Sequence, residues 1–300
     1  MSGRLVLVDK PTGPTSHDIV DTLRRTLGVR KVGHCGTLDP MASGLLLILT
    51  GWATRLAEVF GGHDKLYRAT VRFGAATTTD DSDGEVVARR EDFRLEAAAV
   101  DEALAALAAA TTQRPPRFSA IKMGGVPLYK LARRGQAPDT LPERPATVHR
   151  LAVTALRERE ADLEVHCGAG YYVRALARDL GERLGVPAHL SALRRLRSGP
   201  FAVADAVPAD RLLWEDSSDP LGLDLETALA HLPAAGVRER YLEPLTHGRQ
   251  PGEGDLDWAG ALPAAGSWVR LVDPGGALLA LGRVEADPEP VLRLRRSLPR

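Results

Sequence analysis

Residues 33–47 read Gly33-His34-Cys35-Gly36-Thr37-Leu38-Asp39-Pro40-Met41-Ala42-Ser43-Gly44-Leu45-Leu46-Leu47 and place one carboxylate in a glycine-rich turn before an apolar run. The three glycines permit backbone conformations closed to other residues, and Pro40 fixes its own φ while disfavouring the α region for Asp39. The turn is therefore predicted to have a defined shape. Leu45 to Leu49 predicts a strand buried on both faces, which would anchor the turn to a sheet.

An aspartate before a proline is most often only a turn residue. Here three glycines, a proline, a histidine and a threonine surround a single acid, which favours a functional role. The stretch 33–44 resembles the catalytic motif of the TruB family of tRNA pseudouridine synthases, Gly-His-x-Gly-Thr-Leu-Asp-Pro-x-Ala-x-Gly. This resemblance implies that Asp39 is the catalytic carboxylate.

Composition sets broad limits on the class of protein. The chain has 300 residues, of which 44% are hydrophobic and 26% charged, enough for one large domain or two and unlike disordered or collagen-like chains. Only four apolar residues precede Asp9-Lys10, too few for a signal peptide, and no later run approaches the length of a membrane span. We therefore expect a cytoplasmic protein with no membrane partner.

The two cysteines, Cys35 and Cys167, cannot form a disulfide framework, and neither belongs to a Cys-x-x-Cys pair. Both are predicted to stay reduced, and a structural zinc site is not expected. The sequence also lacks a P-loop, a Rossmann fingerprint and clustered metal ligands. No metal and no organic cofactor are therefore expected.

Charge is balanced overall, with 39 basic and 39 acidic residues, but it is uneven along the chain. Two basic clusters could follow a phosphate backbone, although such clusters are more often solvated faces. The clusters are Arg24, Arg25, Arg30 and Lys31, and then Arg174, Arg178, Arg183, Arg194, Arg195 and Arg197.

Hydrophobic periodicity predicts alternating strands and helices. Thr15 and Asp18 give a capping signal for the first helix. An acidic turn at 77–84 superficially matches a calcium loop but lacks the final Glu, so it is interpreted as a hairpin connection. The predicted strands are Leu5–Val8, Lys65–Phe73, Leu163–Cys167, Trp268–Val272, Ala277–Val284 and Val291–Leu294, and the predicted helices are His17–Leu27, Glu96–Ala110 and one that follows Arg174 and ends at Gly185.

Further segments extend the family resemblance in order along the chain. Residues 9–16 are similar to the family's first motif, residues 64–68 to the segment that carries its active-site tyrosine, and residues 170–181 to a third motif that delivers an arginine to the catalytic aspartate. The pattern of 189–197 fits a helix or a strand, and the resemblance favours a strand. A looser similarity links the last 60-odd residues to a PUA domain, an RNA-binding fold.

The resemblance implies an α/β (α+β) fold with a mixed, largely antiparallel sheet. The catalytic domain would span residues 1–232 and carry a basic RNA-clasping insertion at about 117–146. A small β-rich PUA-like domain would span residues 238–300.

The implied activity is isomerisation of uridine-55 to pseudouridine in the TΨC arm of tRNA, with no cofactor and no obligatory protein partner. The target base would be flipped into a pocket before reaction. Asp39 would act by nucleophilic attack or by removing a ribose proton, and the sequence leaves both routes open.

Roles for other residues follow from the same motifs. Tyr67 would stack on the flipped base, and Arg174 would pair with Asp39 and lower its pKa by about 1 to 3 units. Tyr172 and Leu193 would line the pocket, and His34 would contact the displaced nucleotide. Two residues would support the site, Lys10 by bonding carbonyls of the turn, and Arg55 at a position where the family often has Lys.

Two other functional classes compete with this reading. A thiol hydrolase could be built from Cys35 and His34, but neighbouring residues rarely point at each other and no third orienting group is indicated. A non-catalytic RNA chaperone would explain the basic clusters and the PUA-like tail without any role for Asp39. RNA affinity that survives Asp39→Asn while product formation is lost would separate the enzyme from the chaperone.

Overall fold

The computed structural model describes residues 3–138, 140–213, 221–258, 260–286 and 290–297. The chain divides into two compact units, Val6–Pro220 and Leu221–Arg300, the second of which also includes Ser2–Leu5. In the described ranges, no helix has both the length and the apolar character needed to span a membrane.

The helices are α1 (Ser16–Thr26), α2 (Ala57–Gly61), α3 (Ala97–Ala108), α4 (Leu128–Arg133), α5 (Val173–Leu184), α6 (Leu225–Leu229) and α7 (Leu242–Thr246). The strands are β1 (Arg4–Lys10), β2 (Val32–Cys35), β3 (Ala42–Thr50), β4 (Lys65–Phe73), β5 (Ala75–Thr77), β6 (Val86–Arg89), β7 (Thr112–Gln113), β8 (Lys122–Met123), β9 (Val126–Pro127), β10 (Arg144–Pro145), β11 (Val148–Leu156), β12 (Glu160–Cys167), β13 (Ala188–Ser198), β14 (Phe201–Ala202), β15 (Val207–Pro208), β16 (Ala234–Val237), β17 (Leu256–Trp258), β18 (Trp268–Val272), β19 (Leu278–Ala286) and β20 (Pro290–Ser297).

One large sheet organises the first unit. Its strands lie in the order β11-β12-β4-β13-β3-β1-β15, with β14 beside β13 and β2 beside β3. The pairs β11/β12, β12/β4, β4/β13, β13/β14 and β2/β3 are antiparallel, whereas β13/β3 and β1/β15 are parallel. The predicted fold class, α/β with a mixed and largely antiparallel sheet, is confirmed.

Strand β3 lies near the middle of this sheet and carries its most apolar sequence. All of Leu45 to Leu49 is fully buried, as predicted for a strand covered on both faces. The strand is longer than predicted because it begins at Ala42, directly after the Asp39 turn. Its antiparallel partner β2, which contains His34 and Cys35, was not predicted as a strand.

Helix α1 packs its apolar stripe against the sheet through Ile19, Val20 and Leu23, which are buried. Its N-terminus has the predicted capping box. Thr15 Oγ1 accepts a hydrogen bond from the Asp18 amide, and the Asp18 carboxylate accepts one from the Thr15 amide. This reciprocal cap fixes the point at which the chain leaves the β1–α1 turn.

The second unit has its own sheet, in the order β17-β16-β18-β19-β20, and its own core. Val269 and Leu271 of β18 and Ala280 of β19 are completely buried in that core. The three C-terminal strands predicted from sequence correspond to β18, β19 and β20, with shifted ends for the last two. The predicted domain limits, 1–232 and 238–300, stay predictions.

Candidate active site

Asp39 lies in the short connection between β2 and β3, and two neighbouring segments hold that connection in place. The Ser16 hydroxyl accepts a hydrogen bond from the Leu38 amide and donates one to the Leu38 carbonyl, both at 2.9 Å. The Gly13 amide donates to the Pro40 carbonyl at 2.8 Å. The residues on both sides of Asp39 are therefore tied to the start of α1, so its backbone position is well defined.

Two of the three glycines around Asp39 adopt a backbone conformation that other residues rarely adopt, as predicted. Gly36 and Gly44 have φ values of +90° and +102°, and a Cβ on Gly44 would lie 2.3 Å from the backbone oxygen of Arg195. Only glycine satisfies both conditions at position 44. The prediction is wrong for Gly33, which lies inside β2 opposite Leu49 and does not adopt a positive φ.

Asp39 and Arg174 form a two-point ion pair. Arg174 Nε lies 2.9 Å from Asp39 Oδ2, and Arg174 Nη2 lies 3.4 Å from Asp39 Oδ1. The Arg174 side chain is 7% exposed, whereas that of Asp39 is 33% exposed. The arginine is thus a buried support and the carboxylate remains accessible to a substrate, the arrangement expected from the third motif.

Two further segments, the acidic segment 77–84 and the chain at Phe118, hold the Arg174 guanidinium in place. Arg174 Nη1 donates to the Thr79 carbonyl at 3.0 Å, and Nη2 donates to the Phe118 carbonyl at 2.8 Å. Nε also lies 3.5 Å from the carboxylate of Asp81, which is 5% exposed. Asp81 is a site residue that sequence reasoning missed, because it was assigned to an ordinary hairpin connection.

Opposing influences act on the pKa of the Asp39 carboxyl. Burial raises it above the ordinary value, the Arg174 cation lowers it, and the nearby carboxylate of Asp81 raises it further. Arg174 therefore lowers the pKa of Asp39, as predicted, although desolvation of the carboxyl has the larger effect in the opposite direction. The pairing still favours the ionised form relative to the same buried carboxyl without an arginine.

Tyr67 is buried in β4, opposite Arg195 of β13 and Val165 of β12. Burial raises the pKa of its hydroxyl, a hydrogen bond with Arg195 acts the other way, and the Asp39 carboxylate raises it further. Tyr67 is therefore a neutral aromatic side chain within electrostatic range of the candidate acid.

Arg195 is a second residue that sequence reasoning missed. It is 1% exposed, and its Nε donates to the Leu45 carbonyl at 2.6 Å while Nη2 donates to the Gly36 carbonyl at 3.1 Å. It therefore links both ends of the Asp39 turn to Tyr67. Strand alternation is the signal that could have found it, since Arg195 shares a face of β13 with Leu193.

Leu193 and Tyr172 lie on the elements that carry the other site residues. Leu193 is buried in β13, opposite Ala42 of β3 and Ala69 of β4. Tyr172 is the N-cap residue of α5, and its backbone amide and carbonyl pair with the side-chain amide of Gln113 at 2.9 and 3.0 Å. Burial raises the pKa of Tyr172, and the Asp39 carboxylate adds to the rise.

His34 lies in β2, five residues before Asp39. Burial lowers the pKa of its imidazole, and the cation of Arg195 lowers it further. Its Nδ1 atom is buried and has no hydrogen-bond partner among the described residues. The half-buried ring is neutral, so one of its nitrogens can donate a hydrogen bond and the other can accept one.

Lys10 is completely buried, and its ammonium group donates to the Pro11 and Pro14 carbonyls, both at 2.8 Å. The predicted carbonyl contacts therefore belong to the β1–α1 turn and not to the Asp39 turn. Burial lowers the pKa of Lys10 to about 8, and the Asp39 carboxylate acts against this shift.

Arg55 is exposed in the 3₁₀ helix Gly51–Leu56 after β3, so its supporting role stays a prediction.

The acidic segment 77–84 docks onto α5 and β13. Asp80 Oδ2 lies 3.1 Å from Arg178 Nη1, and the Asp80 carbonyl accepts a hydrogen bond from the Leu190 amide at 3.0 Å. Asp80 adopts a φ of +62°, which only asparagine, aspartate and glycine tolerate readily. The segment therefore positions Arg174 and Arg178 through its acids.

Four of the six arginines in the second basic cluster are buried or paired within the fold. Arg174 and Arg195 are buried, Arg178 pairs with Asp80 and Asp179, and Arg194 pairs with Asp9 at 2.7 Å. These cations are used inside the fold, because buried carboxylates and carbonyls near them need donors. Only Arg183 and Arg197 of the six are exposed.

Both cysteines are free and buried. Burial raises the pKa of each thiol to about 12. Because the thiolate is the reactive form, neither Cys35 nor Cys167 is suited to nucleophilic catalysis. This observation removes the physical basis of the thiol hydrolase alternative.

Two family models match the chain consecutively. Residues 24–173 match the N-terminal domain of the TruB family pseudouridylate synthases, and residues 174–229 match the C-terminal domain described for tRNA pseudouridylate synthase B. The first match contains Asp39, and the second begins at Arg174. The boundary between the two models therefore falls between the members of the central ion pair.

Curated relatives match over most of their length. A tRNA pseudouridine synthase B of Syntrophotalea carbinolica is 40% identical over 276 residues, which cover 91% of this chain and 90% of the relative. One of Thermobifida fusca is 42% identical over 258 residues, covering 83% and 87%.

Solved structures share the fold. A Cbf5-Nop10-Gar1 complex contains a chain with 26% identity and a TM-score of 0.72, and the match covers 98% of this chain and 84% of that one. An H/ACA RNP bound to a substrate RNA containing 2'-deoxyuridine contains a chain with 23% identity and a TM-score of 0.70, with 99% and 86% coverage.

Proposed function

Because the chain belongs to the TruB family of tRNA pseudouridine synthases, we propose that it isomerises uridine-55 in the TΨC arm of tRNA, with Asp39 as the essential carboxylate. The observation that carries this assignment is the ion pair between Asp39 and the buried Arg174. The pair combines an accessible acid with a fixed cation, which is what a reaction with one catalytic carboxylate requires.

In the proposed reaction, the C1′–N1 bond of the uridine breaks, the base turns, and a C1′–C5 bond forms. C5 then loses its proton, and N1 gains one, so the product is an isomer of the substrate. Asp39 either attacks C1′ or removes a ribose proton to begin this sequence. In both routes the ionised carboxylate is the active form, and Arg174 favours that form.

The uridine must leave its stack to reach Asp39, and the side chains around the acid are suited to receive it. Tyr67 would offer an aromatic face for the flipped base, and its hydroxyl would take part in proton removal from C5. Tyr172 and Leu193 line the same pocket. The half-buried imidazole of His34 contacts the displaced nucleotide.

Lys10 and Arg55 complete the proposed site as supporting residues. Lys10 holds the β1–α1 turn, which in turn is tied to the Pro40 carbonyl, so it acts on Asp39 through the backbone. Arg55 is exposed near the end of β3 and would contribute charge to the bound RNA.

A basic excursion, residues 117–146, is proposed to grip the RNA. Its base is tied down where β7 pairs with β10, and its Phe118 carbonyl accepts a hydrogen bond from Arg174. The excursion is rich in exposed cations, which suit a phosphate backbone. These cations are Arg117, Lys122, Lys130, Arg133, Arg134 and Arg144.

The PUA-like region, residues 238–300, is proposed as a second RNA contact.

The test is tritium release from tRNA that carries tritium at uracil C5, with no added metal or nucleotide. Wild type should release tritium from the uridine at position 55, and Asp39→Asn should release none. A transcript with cytidine at position 55 is the matched substrate control. RNA binding should be equal for the two proteins, since the substitution changes no cation that contacts phosphate.

The outcomes separate the enzyme from the RNA chaperone. Binding without release by either protein would overturn the synthase assignment and favour the chaperone. Release by wild type from another uridine would keep the reaction and overturn the assignment to position 55. Release by Asp39→Asn at the wild-type rate would exclude Asp39 as the catalytic carboxylate.

A further inference from the structure

Three potential metal ligands from distant parts of the sequence meet at one end of β4, β12 and β11. Asp64 immediately precedes β4, His166 lies one residue before the end of β12, and His149 is the second residue of β11. One ligand atom from each residue, a carboxylate oxygen or an imidazole nitrogen, lies within 4.8 Å of the other two. Sequence spacing does not indicate this cluster, because its members are separated by 85 and 17 residues.

The sheet register brings the two histidines together. Val148 lies opposite Cys167 and Arg150 lies opposite His166, so His149 is the extra residue of a β-bulge. A bulge redirects the side chain of its extra residue. Here the ring centroids of His149 and His166 lie 4.8 Å apart, and His149 Nε2 lies 3.0 Å from Asp64 Oδ2.

We propose that Asp64, His149 and His166 bind one Zn²⁺ ion. Two imidazoles and one carboxylate are ligands that Zn²⁺ prefers, and three protein ligands leave a coordination position for water. Ligand atoms around a tetrahedral Zn²⁺ lie about 3.3 Å apart, so the widest separation must close by about 1.5 Å. Side-chain rotation supplies this movement, because His149 and Asp64 are 37% and 50% exposed.

The charge around the cluster also suits a cation. Lys65, next to Asp64, turns its ammonium group to the carbonyls of Gly61 and His63, so it does not compete for the carboxylate. Arg150, next to His149, pairs with Glu164 at 3.6 Å. The bound ion would join the ends of three neighbouring strands and stabilise the edge of the sheet where β11 pairs with β12.

The experiment uses the full-length protein without a histidine tag, treated with a chelator and then dialysed. Zn²⁺ is titrated in a calorimeter into wild type, His149→Ala, His166→Ala and Asp64→Asn. His17→Ala is the matched control, because His17 lies 3.7 Å from Asp21 on α1 and belongs to no group of three potential ligands among the described residues. Circular dichroism establishes that each variant is folded before titration.

Wild type and His17→Ala should each bind one Zn²⁺, and each histidine variant should lose about 100-fold or more in affinity. Saturating Zn²⁺ should raise the Tm of wild type but not of His149→Ala. Tritium release should not change on addition of chelator, since none of the three ligands belongs to the Asp39 site. The absence of stoichiometric binding to wild type would overturn the proposal, as would undiminished binding to the His149→Ala/His166→Ala double variant.

Discussion

Replacement of Arg195 tests whether this buried cation positions the Asp39 turn. Arg195→Gln removes the charge and the donors to Leu45 and Gly36, whereas Arg195→Lys keeps the charge and can keep only part of the hydrogen bonding. Both variants lose the planar fork that also reaches Tyr67. The two substitutions therefore separate the effect of charge from that of geometry.

The expected cost follows from the two carbonyl contacts. A hydrogen bond from a charged donor contributes about 1.5–3 kcal/mol, and Arg195 donates one to each of the two carbonyls. Arg195→Gln should therefore lower the free energy of unfolding by about 3–6 kcal/mol, and Arg195→Lys by about half of that. Loss of the charge should also raise the pKa values of Lys10 and His34, because Arg195 lowers both.

The assay combines urea unfolding with steady-state tritium release. A displacement of Asp39 by about 1 Å is expected to lower kcat about 100-fold. KM for tRNA should change little, because Arg195 is buried and contacts no phosphate. Arg195→Lys should recover part of kcat. Arg197→Gln is the matched control, since Arg197 is exposed two residues further along the same strand.

Two results would refute this reasoning. Arg195→Gln with the stability and kcat of Arg197→Gln would show that the carbonyl contacts do not position the turn. A rise in KM with unchanged kcat would instead mean that Arg195 acts on RNA binding.

Three further perturbations follow from the same site. Arg174→Gln removes the main influence that lowers the pKa of Asp39, so the acid limb of the pH–rate profile should move to higher pH. An unmoved limb would contradict the pairing. Gly44→Ala should lower the free energy of unfolding in urea by more than about 2 kcal/mol, because a Cβ would lie 2.3 Å from the Arg195 backbone oxygen. Gly33→Ala is the control and should be nearly neutral, because a Cβ there would meet no atom within 4 Å. Equal effects of the two substitutions would count against the close approach. Burial lowers the pKa of Lys10 from 10.5 to about 8, so the folded protein releases this proton at a lower pH than the unfolded chain. The contribution of Lys10 to the free energy of unfolding should therefore rise between pH 8 and 10.5. Unfolding of Lys10→Met across that range should lack this slope, and identical slopes would show that the shift is not present.

Local signals in the sequence predicted the local structure well. The Thr15–Asp18 capping box, the buried run Leu45 to Leu49 and the strand Lys65–Phe73 depend on neighbouring residues or on period-two burial, and all three are present. The position of Asp39 at the start of a central strand follows from the same signals.

Long-range pairing could not be predicted in the same way. The burial of Arg195 depends on β13 lying between β3 and β4, and the role of Asp81 depends on its segment docking beneath Arg174. A cluster of arginines in sequence cannot reveal which of them meet buried acceptors. Nor could the ion pair alone predict the raised pKa of Asp39, because the desolvation that outweighs it depends on the surrounding fold.

The contacts of Arg174 with Thr79 and Phe118 are made to backbone carbonyls, and this has a consequence for how such a chain can diverge. The side chains at both positions can change through evolution while the link to the catalytic acid persists. An insertion or deletion that shifts the Phe118 carbonyl would break it even if every basic side chain were retained. Relatives that exchange this excursion to gain new RNA preferences must therefore keep the chain length up to residue 118. Keeping the length of this part of the chain matters more for the site than keeping the charge of the excursion.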